Sequence, residues 1–188
     1  MAAPRRLPAT TRGFTLLELL AVVVIVAVLA TLATFGLRKY VFASKTAEAF
    51  YMIGAIKSAQ EAYRDETFTY LAITPAGDFL NATGAYPQGE MPGRKKWSWD
   101  NSNGPDHAAW QRLGVRTNHP VLYGYACLVG DANTAPPQPF LNRTVTWPTP
   151  TGPWYVVRAI ADKDGDGQPS IFVGSSFTTE IWSENEDG

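Results

Sequence analysis

From Leu19 to Leu37 the chain carries nineteen residues without a charge, and only Thr31 and Thr34 among them have a polar side chain. As a helix, a run of that length spans a hydrocarbon core of about 30 Å. No proline falls between Phe14 and Thr74, and helix formers dominate as far as Glu66. Beyond the apolar run the pattern changes period. Phe42, Ala49, Ile53, Ile56 and Tyr63 recur at helical spacing on one face, and Ser44, Glu48, Ser58 and Glu61 fall largely away from it. Residues 14–66 therefore read as one long helix, apolar all round over about 14–37 and amphipathic after that. The amphipathic half needs a domain to lie on. That domain is expected in residues 67–188. Residues 67–119 are punctuated by glycine and proline and read as loops. They hold one short helix candidate, "PDHAAWQRLGV", which Asp106 would cap and Gly114 would end. Trp97, Trp99 and Trp110 are expected to anchor this connection. Four strands follow, at 121–129, 154–162, 169–176 and 177–183, each rich in β-branched and aromatic residues. A long proline-rich stretch, 130–153, separates the first two and reads as an exposed, variable surface. The fold class expected is α+β, a long N-terminal helix packed on a small antiparallel sheet, with Trp154, Tyr155, Phe172 and Trp182 buried.

Charge alters the reading of the apolar run. Arg5, Arg6 and Arg12 precede it, Arg38 and Lys39 follow it, and one carboxylate, Glu18, stands at its start. The basic arm favours an N-terminus held in the cytoplasm. A secretory signal peptide would share the basic start, the apolar stretch and small residues such as Ala27 and Ala30. Against it stand the length of the run, the carboxylate at its cytoplasmic edge and the helical pattern that continues beyond. A simple single-span anchor leaves Glu18 without a role, and a charge placed in a membrane segment usually has a partner or a function.

The stretch "RGFTLLELL", at residues 12–20, resembles the class III leader of type IV pilins and of the pseudopilins of type II secretion. The likeness covers about residues 5–65 and is loose beyond. It implies a leader of residues 1–13, cleavage after Gly13 by a prepilin peptidase, and N-methylation of the new terminus, Phe14. It also implies that Glu18 of one subunit meets the Phe14 amine of a neighbour in a helical filament. Inside an apolar bundle a paired charge is tolerated where an unpaired one is not, so such a pair sets register more than it adds stability. The partners implied are copies of this chain and other pilins, the peptidase, an inner-membrane assembly platform, and the lipid bilayer before assembly. The location implied is a single-pass inner-membrane precursor with its N-terminus inside, then a periplasmic or cell-surface filament. Related pilins often carry a proline in the apolar half. Here Gly36 is the weakest helical point, and it serves either to loosen the helix on assembly or to let another helix pack close.

Composition sets further limits. Without its leader the chain has 175 residues, enough for one modest core. Losing three arginines takes the net charge from −1 to −4. The short "RKK" at Arg94–Lys96 reads as a solvated loop, and no nucleic-acid partner is expected. His107 and His119 lack metal-ligand spacing, and no catalytic triad, phosphate loop or zinc spacing is present, so an enzyme is not expected. Cys127 is the single cysteine, so no internal disulfide can close the C-terminal region, as one does in many relatives of this family. "DKDGDG" places Asp162, Asp164 and Asp166 in the alternating pattern of a Ca²⁺ loop, with Gln168 adding its carbonyl. The twelfth position is Val173 rather than glutamate, and strands flank the loop, so it is not an EF-hand. A plain Asp-Gly turn is the alternative; pseudopilins of similar organisation bind Ca²⁺ in this region. Three function classes follow. The first is a pilin or minor pilin, which the length and the proline-rich stretch favour. The others are a pseudopilin of a type II secretion system and a monomeric membrane-anchored binding module.

Overall fold

A computed structural model describes residues 13–186. The leader before Gly13, with Arg5, Arg6 and Arg12, lies outside the described residues. The chain divides into two compact units, Met1–Val41 and Phe42–Gly188. Helix α1, Leu16–Thr67, runs through the boundary and ends where Phe68 turns to a φ of 63°.

In the first unit every α1 residue from Leu16 to Leu37 is exposed. By length and composition this part of the helix is able to cross a membrane. Its two hydroxyls are satisfied within the helix. Thr31 Oγ1 donates to the Ala27 carbonyl and Thr34 Oγ1 to that of Ala30, each at 2.8 Å. Such back-bonding leaves no hydroxyl unpaired in an apolar surrounding. The helix continues unbroken through Gly36, where an added Cβ would meet nothing within 4 Å.

In the second unit the predicted amphipathic face is the one that packs. Ala49, Met52, Ile53 and Ile56 are buried, and Phe42 and Tyr63 are half-buried. They lie on an antiparallel sheet of four strands in the order β1 (Gly124–Gly130), β2 (Trp154–Ala161), β3 (Ser170–Ser175), β4 (Thr178–Glu184). The α1 residues share one core with Cys127, Tyr155, Val157, Ala159 and Phe172 of the sheet. Gly174 makes the close approach possible, since a Cβ there would sit 2.6 Å from Cγ2 of Ile53. The opposite face of the sheet carries Leu128, Trp154, Val156, Ile160, Ile171 and Val173, with Phe79 and Phe140 packed on them.

That second core narrows the reading of 130–153 as an exposed surface, because most of the segment is exposed but part of it is buried. Pro136, Pro139, Phe140 and Pro150 are buried, and Val145 and Trp147 are half-buried. The hydrophobic outer face of the sheet needs a cover, and this segment supplies it. Trp182 is half-buried rather than buried, because β4 is an edge strand. Trp154, Tyr155 and Phe172 are buried as expected. The second helix, α2, spans His107–Leu113 and ends at Gly114 with φ 79°. Asp106 precedes it but its side chain makes no capping bond. Asp106 is held at φ 54°, and its backbone carbonyl takes the amides of Ala109 and Trp110. Trp99 and Trp110 are buried anchors, stacked edge-on at 5.4 Å, while Trp97 is half-buried in a bridge to Val121.

Side-chain bonds to the main chain tie down the C-terminal strand that no disulfide can close. Asn185 Nδ2 donates to the Gln168 carbonyl at 2.8 Å, and Lys163 Nζ donates to that of Glu186. The Glu184 carboxylate accepts the amides of Leu141 and Asn142 at 2.9 and 2.8 Å, joining β4 to the covering segment.

Candidate functional site

The start of α1 brings Thr15 and Glu18 together in one turn, with Phe14 just before them in the chain. Thr15 stands just before the first helical residue, Leu16, and Glu18 is the third residue inside. The Thr15 amide and Oγ1 both donate to Oε2 of Glu18, each at 2.8 Å, and the Glu18 amide donates back to Thr15 Oγ1 at 3.2 Å. This is a capping box, in which two of the unpaired amides at a helix start are satisfied reciprocally. The carboxylate also lies at the positive end of the helix dipole. All these bonds use Oε2. Among the described residues Oε1 takes none. Thr15 belongs to the leader motif in the sequence, where it has no capping role assigned, although Thr-x-x-Glu ahead of an apolar run is the signature of such a box. Gly13 and Phe14 precede the helix, outside any regular element, and are exposed. An exposed segment outside regular structure is one that a processing enzyme can reach.

The acidic loop lies in the second unit, between β2 and β3. The side-chain oxygens of Asp162, Asp164 and Asp166 come within 4.8 Å of one another. Oxygens sharing a Ca²⁺ at 2.3–2.6 Å can be no more than about 5 Å apart, so the three carboxylates fit one such ion. The same groups also close the turn on their own. Asp162 accepts the amides of Gly165 at 2.7 Å and Gly167 at 3.1 Å, both glycines having positive φ. Asp164 accepts the amide of Asp166 at 3.2 Å, and Asp166 that of Gln168 at 2.7 Å. The Gln168 carbonyl, the fourth expected ligand, already accepts from Asn185. Arg94 donates to the Asp164 carbonyl, Lys96 pairs with Glu48 at 3.2 Å, and Lys95 lies over the Trp97 ring at 4.1 Å. The "RKK" stretch is exposed, as expected of a solvated loop, and each of its side chains also touches the domain.

Two further residues carry structural work. Glu48, placed away from the packing face by the periodicity, accepts the amides of Leu122 at 2.5 Å and Tyr123 at 3.2 Å through Oε1. Gln60 is fully buried. It accepts the Leu71 amide and donates to the Leu71 carbonyl, both at 2.9 Å, and donates to Sγ of Cys127 at 3.3 Å. Burial pushes the Cys127 thiol up to about 12, with the Gln60 bond pulling the other way.

Residues 9–34 match the family model described as the prokaryotic N-terminal methylation motif. No curated protein and no solved structure matches the chain. The chain thus carries a class III prepilin leader motif, followed by an exposed apolar helix, consistent with a type IV pilin or pseudopilin. Proteins with this motif are structural rather than enzymatic. The motif implies processing by a prepilin peptidase and assembly with other pilins.

Proposed function

We propose that this chain is a structural subunit, a pilin or minor pilin, of a type IV pilus-like filament. The observation that carries the reading is a methylation motif at residues 9–34 that opens directly into a helix whose apolar half is exposed among the described residues. In this reading the precursor sits in the inner membrane with its N-terminus inside. A prepilin peptidase cuts between Gly13 and Phe14 and methylates Phe14, and an assembly platform adds the subunit to a filament of like helices. Glu18 meets a neighbour's Phe14 amine and fixes axial register. Mass spectrometry of the native protein should find N-methylated Phe14 as its first residue. A mature terminus after residue 27 would mean an ordinary signal peptide and would overturn the reading.

The acidic loop favours a second reading, a pseudopilin of a type II secretion system. Asp162, Asp164 and Asp166 would then hold Ca²⁺ as a clip between β2 and β3, with Gln168 contributing its carbonyl's second lone pair. Sheared surface filaments separate the two. A pilin is recovered in them, and a pseudopilin stays with the cell envelope.

A further inference from the structure

Phe68 follows the last residue of α1 in a state that costs it twice. Its φ is 63°, in the left-handed region, where a bulky side chain is an outlier and glycine or asparagine is the usual residue after a helix. Its ring is also 85 % exposed. Residues kept under such backbone strain cluster at sites of binding and switching. Two carboxylates stand beside it. Asp65 and Glu66 are exposed, and among the described residues neither has a hydrogen-bond or ion-pair partner. The end of α1 is therefore an apolar knob in an acidic surround. The same unit also carries a cleft of about 390 Å³ between α1 and the turn that joins β3 to β4. Tyr155 and Phe177 give it aromatic walls, and Lys57, Glu61 and Thr179 also line it. The charge of Glu61 is answered by Arg64 at 3.8 Å. Lys57 donates to the Thr178 carbonyl at 2.6 Å and is in no ion pair among the described residues.

We propose that Phe68 of one copy of this chain docks in the cleft beside Lys57 of another. The inference rests on the filament reading and adds a contact made by the folded units, away from the apolar half of α1. The sizes agree, since a cavity of about 150 Å³ already holds a benzene ring and the cleft is larger. The charges agree as well. Docking brings Asp65 and Glu66 to Lys57, and these opposite charges lack ion-pair partners within the described residues of the subunit. Phe68 cannot enter the cleft of its own copy beside Lys57, because about 16 Å of helix separates the two at 1.5 Å per residue. Knob and cleft are different surfaces, so every copy offers both. Such a contact repeats head to tail, as in an open helical filament. An aromatic anchor in a pocket, rimmed by charges, is also the anatomy of a binding hot spot.

The test is cysteine cross-linking of the full-length chain in its native host. Thr69→Cys beside the knob and Thr179→Cys in the cleft are both at exposed positions, and Cys127 is buried and silent. A disulfide needs Cα atoms within about 7 Å. Oxidation of the double variant should give dimers and a ladder of higher multimers containing this chain alone, at least about fivefold above either single variant, because only a knob-to-cleft contact brings unlike thiols within that reach. Phe68→Gly in the same background removes the ring and suits the left-handed φ. The domain should then melt no lower, while the ladder falls at least about tenfold, as expected on losing a hot-spot side chain. Double-variant multimers at the level of the single variants, a ladder unchanged by Phe68→Gly, or adducts to a different protein would each overturn the contact. Sheared filaments are scored in the same cells. Chain in filaments without a ladder refutes the contact and leaves the filament reading standing. A ladder that Phe68→Gly abolishes, with no chain in filaments, supports the contact and refutes the filament reading.

Discussion

Gln60→Leu should cost this domain a large part of its stability, although leucine fits an apolar helix face. Gln60 is fully buried and bonds both main-chain groups of Leu71, itself buried, at 2.9 Å. Leucine leaves that amide and carbonyl without their side-chain partner. Each buried backbone group left unpaired costs about 1–3 kcal/mol, and the apolar burial of leucine returns part of the sum. A net loss of about 2–4 kcal/mol is expected. For a domain of this size each kcal/mol moves the melting temperature by about 2–4 °C, so the midpoint should fall by roughly 5–15 °C. Tryptophan fluorescence of the detergent-solubilised full chain reads the transition. Gln60→Glu makes a second check. The carboxylate can still accept the Leu71 amide but cannot donate to its carbonyl, and it buries a charge. Its deficit should therefore narrow as pH falls and the acid becomes protonated. A Gln60→Leu midpoint within about 2 °C of wild type would refute the reasoning, because it would mean that the Leu71 groups find other partners at no cost.

Two further outcomes follow from the second unit. If the acidic loop holds Ca²⁺, added Ca²⁺ should raise the melting temperature by an amount set by its excess over the dissociation constant, Mg²⁺ should substitute poorly, and Asp164→Ala should abolish the shift; identical curves with Ca²⁺ and chelator would leave only an Asp-Gly turn. Because burial raises the Cys127 thiol from 9.0 to about 12, the folded state keeps a proton that the unfolded chain loses. Its contribution is fully present below pH 9 and lost as pH rises towards 12, by up to about 1.4 kcal/mol per pH unit. Cys127→Ala should flatten the stability profile between pH 9 and 10, before the buried tyrosines join in, and an unchanged slope would refute this.

The helix and the strands were legible because their signals are long and repeated. Nineteen uncharged residues and sixty-one without proline leave little choice but a helix, and β-branched runs bounded by glycine and proline mark all four strands within about three residues. The polar residues that hold the domain together were harder to see. Glu48 lies beside Ala49 on the helix surface and reads as an outer position, yet a long side chain at the edge of the packing face reaches the Leu122 and Tyr123 amides. Gln60 left a fainter trace. It falls between Ile56 and Tyr63 at the centre of the apolar face, where a polar residue signals a buried hydrogen-bonding demand. The buried part of segment 130–153 leaves no mark in the sequence, because proline-rich composition marks irregular backbone, and irregular backbone can still bury its side chains when a sheet face lacks a helix. Of the candidate site, the spacing of Gly13, Phe14, Thr15 and Glu18 is plain in the sequence and the capping role of Thr15 is not, since the box it forms is visible only when Glu18 is read as a helix-start residue as well as a misplaced charge.

The capping box raises a competing account of Glu18. A carboxylate that satisfies its own helix start needs no neighbour to explain its presence, and the box makes the charge tolerable at the membrane edge before any assembly. But a box asks only for a side chain with an acceptor oxygen at that position, and glutamine serves as well as glutamate. Pairing with a neighbour's amine asks for the charge. Because the Thr15 bonds use Oε2 alone, Oε1 is open to a second donor, and the two roles do not exclude one another. Glu18→Gln separates them, since it keeps the box and removes the charge. If Glu18 fixes register through a neighbour's Phe14, this variant should be cleaved and inserted like wild type yet reach sheared filaments at no more than about a tenth of the wild-type level, the loss expected when about 1.4 kcal/mol or more of pairing is withdrawn from a buried amine. Thr15→Ala is the complementary variant: it keeps the charge and loses the box. Filaments that form normally with Glu18→Gln and fail with Thr15→Ala would show that the helix start, and not the charge pair, is what assembly requires.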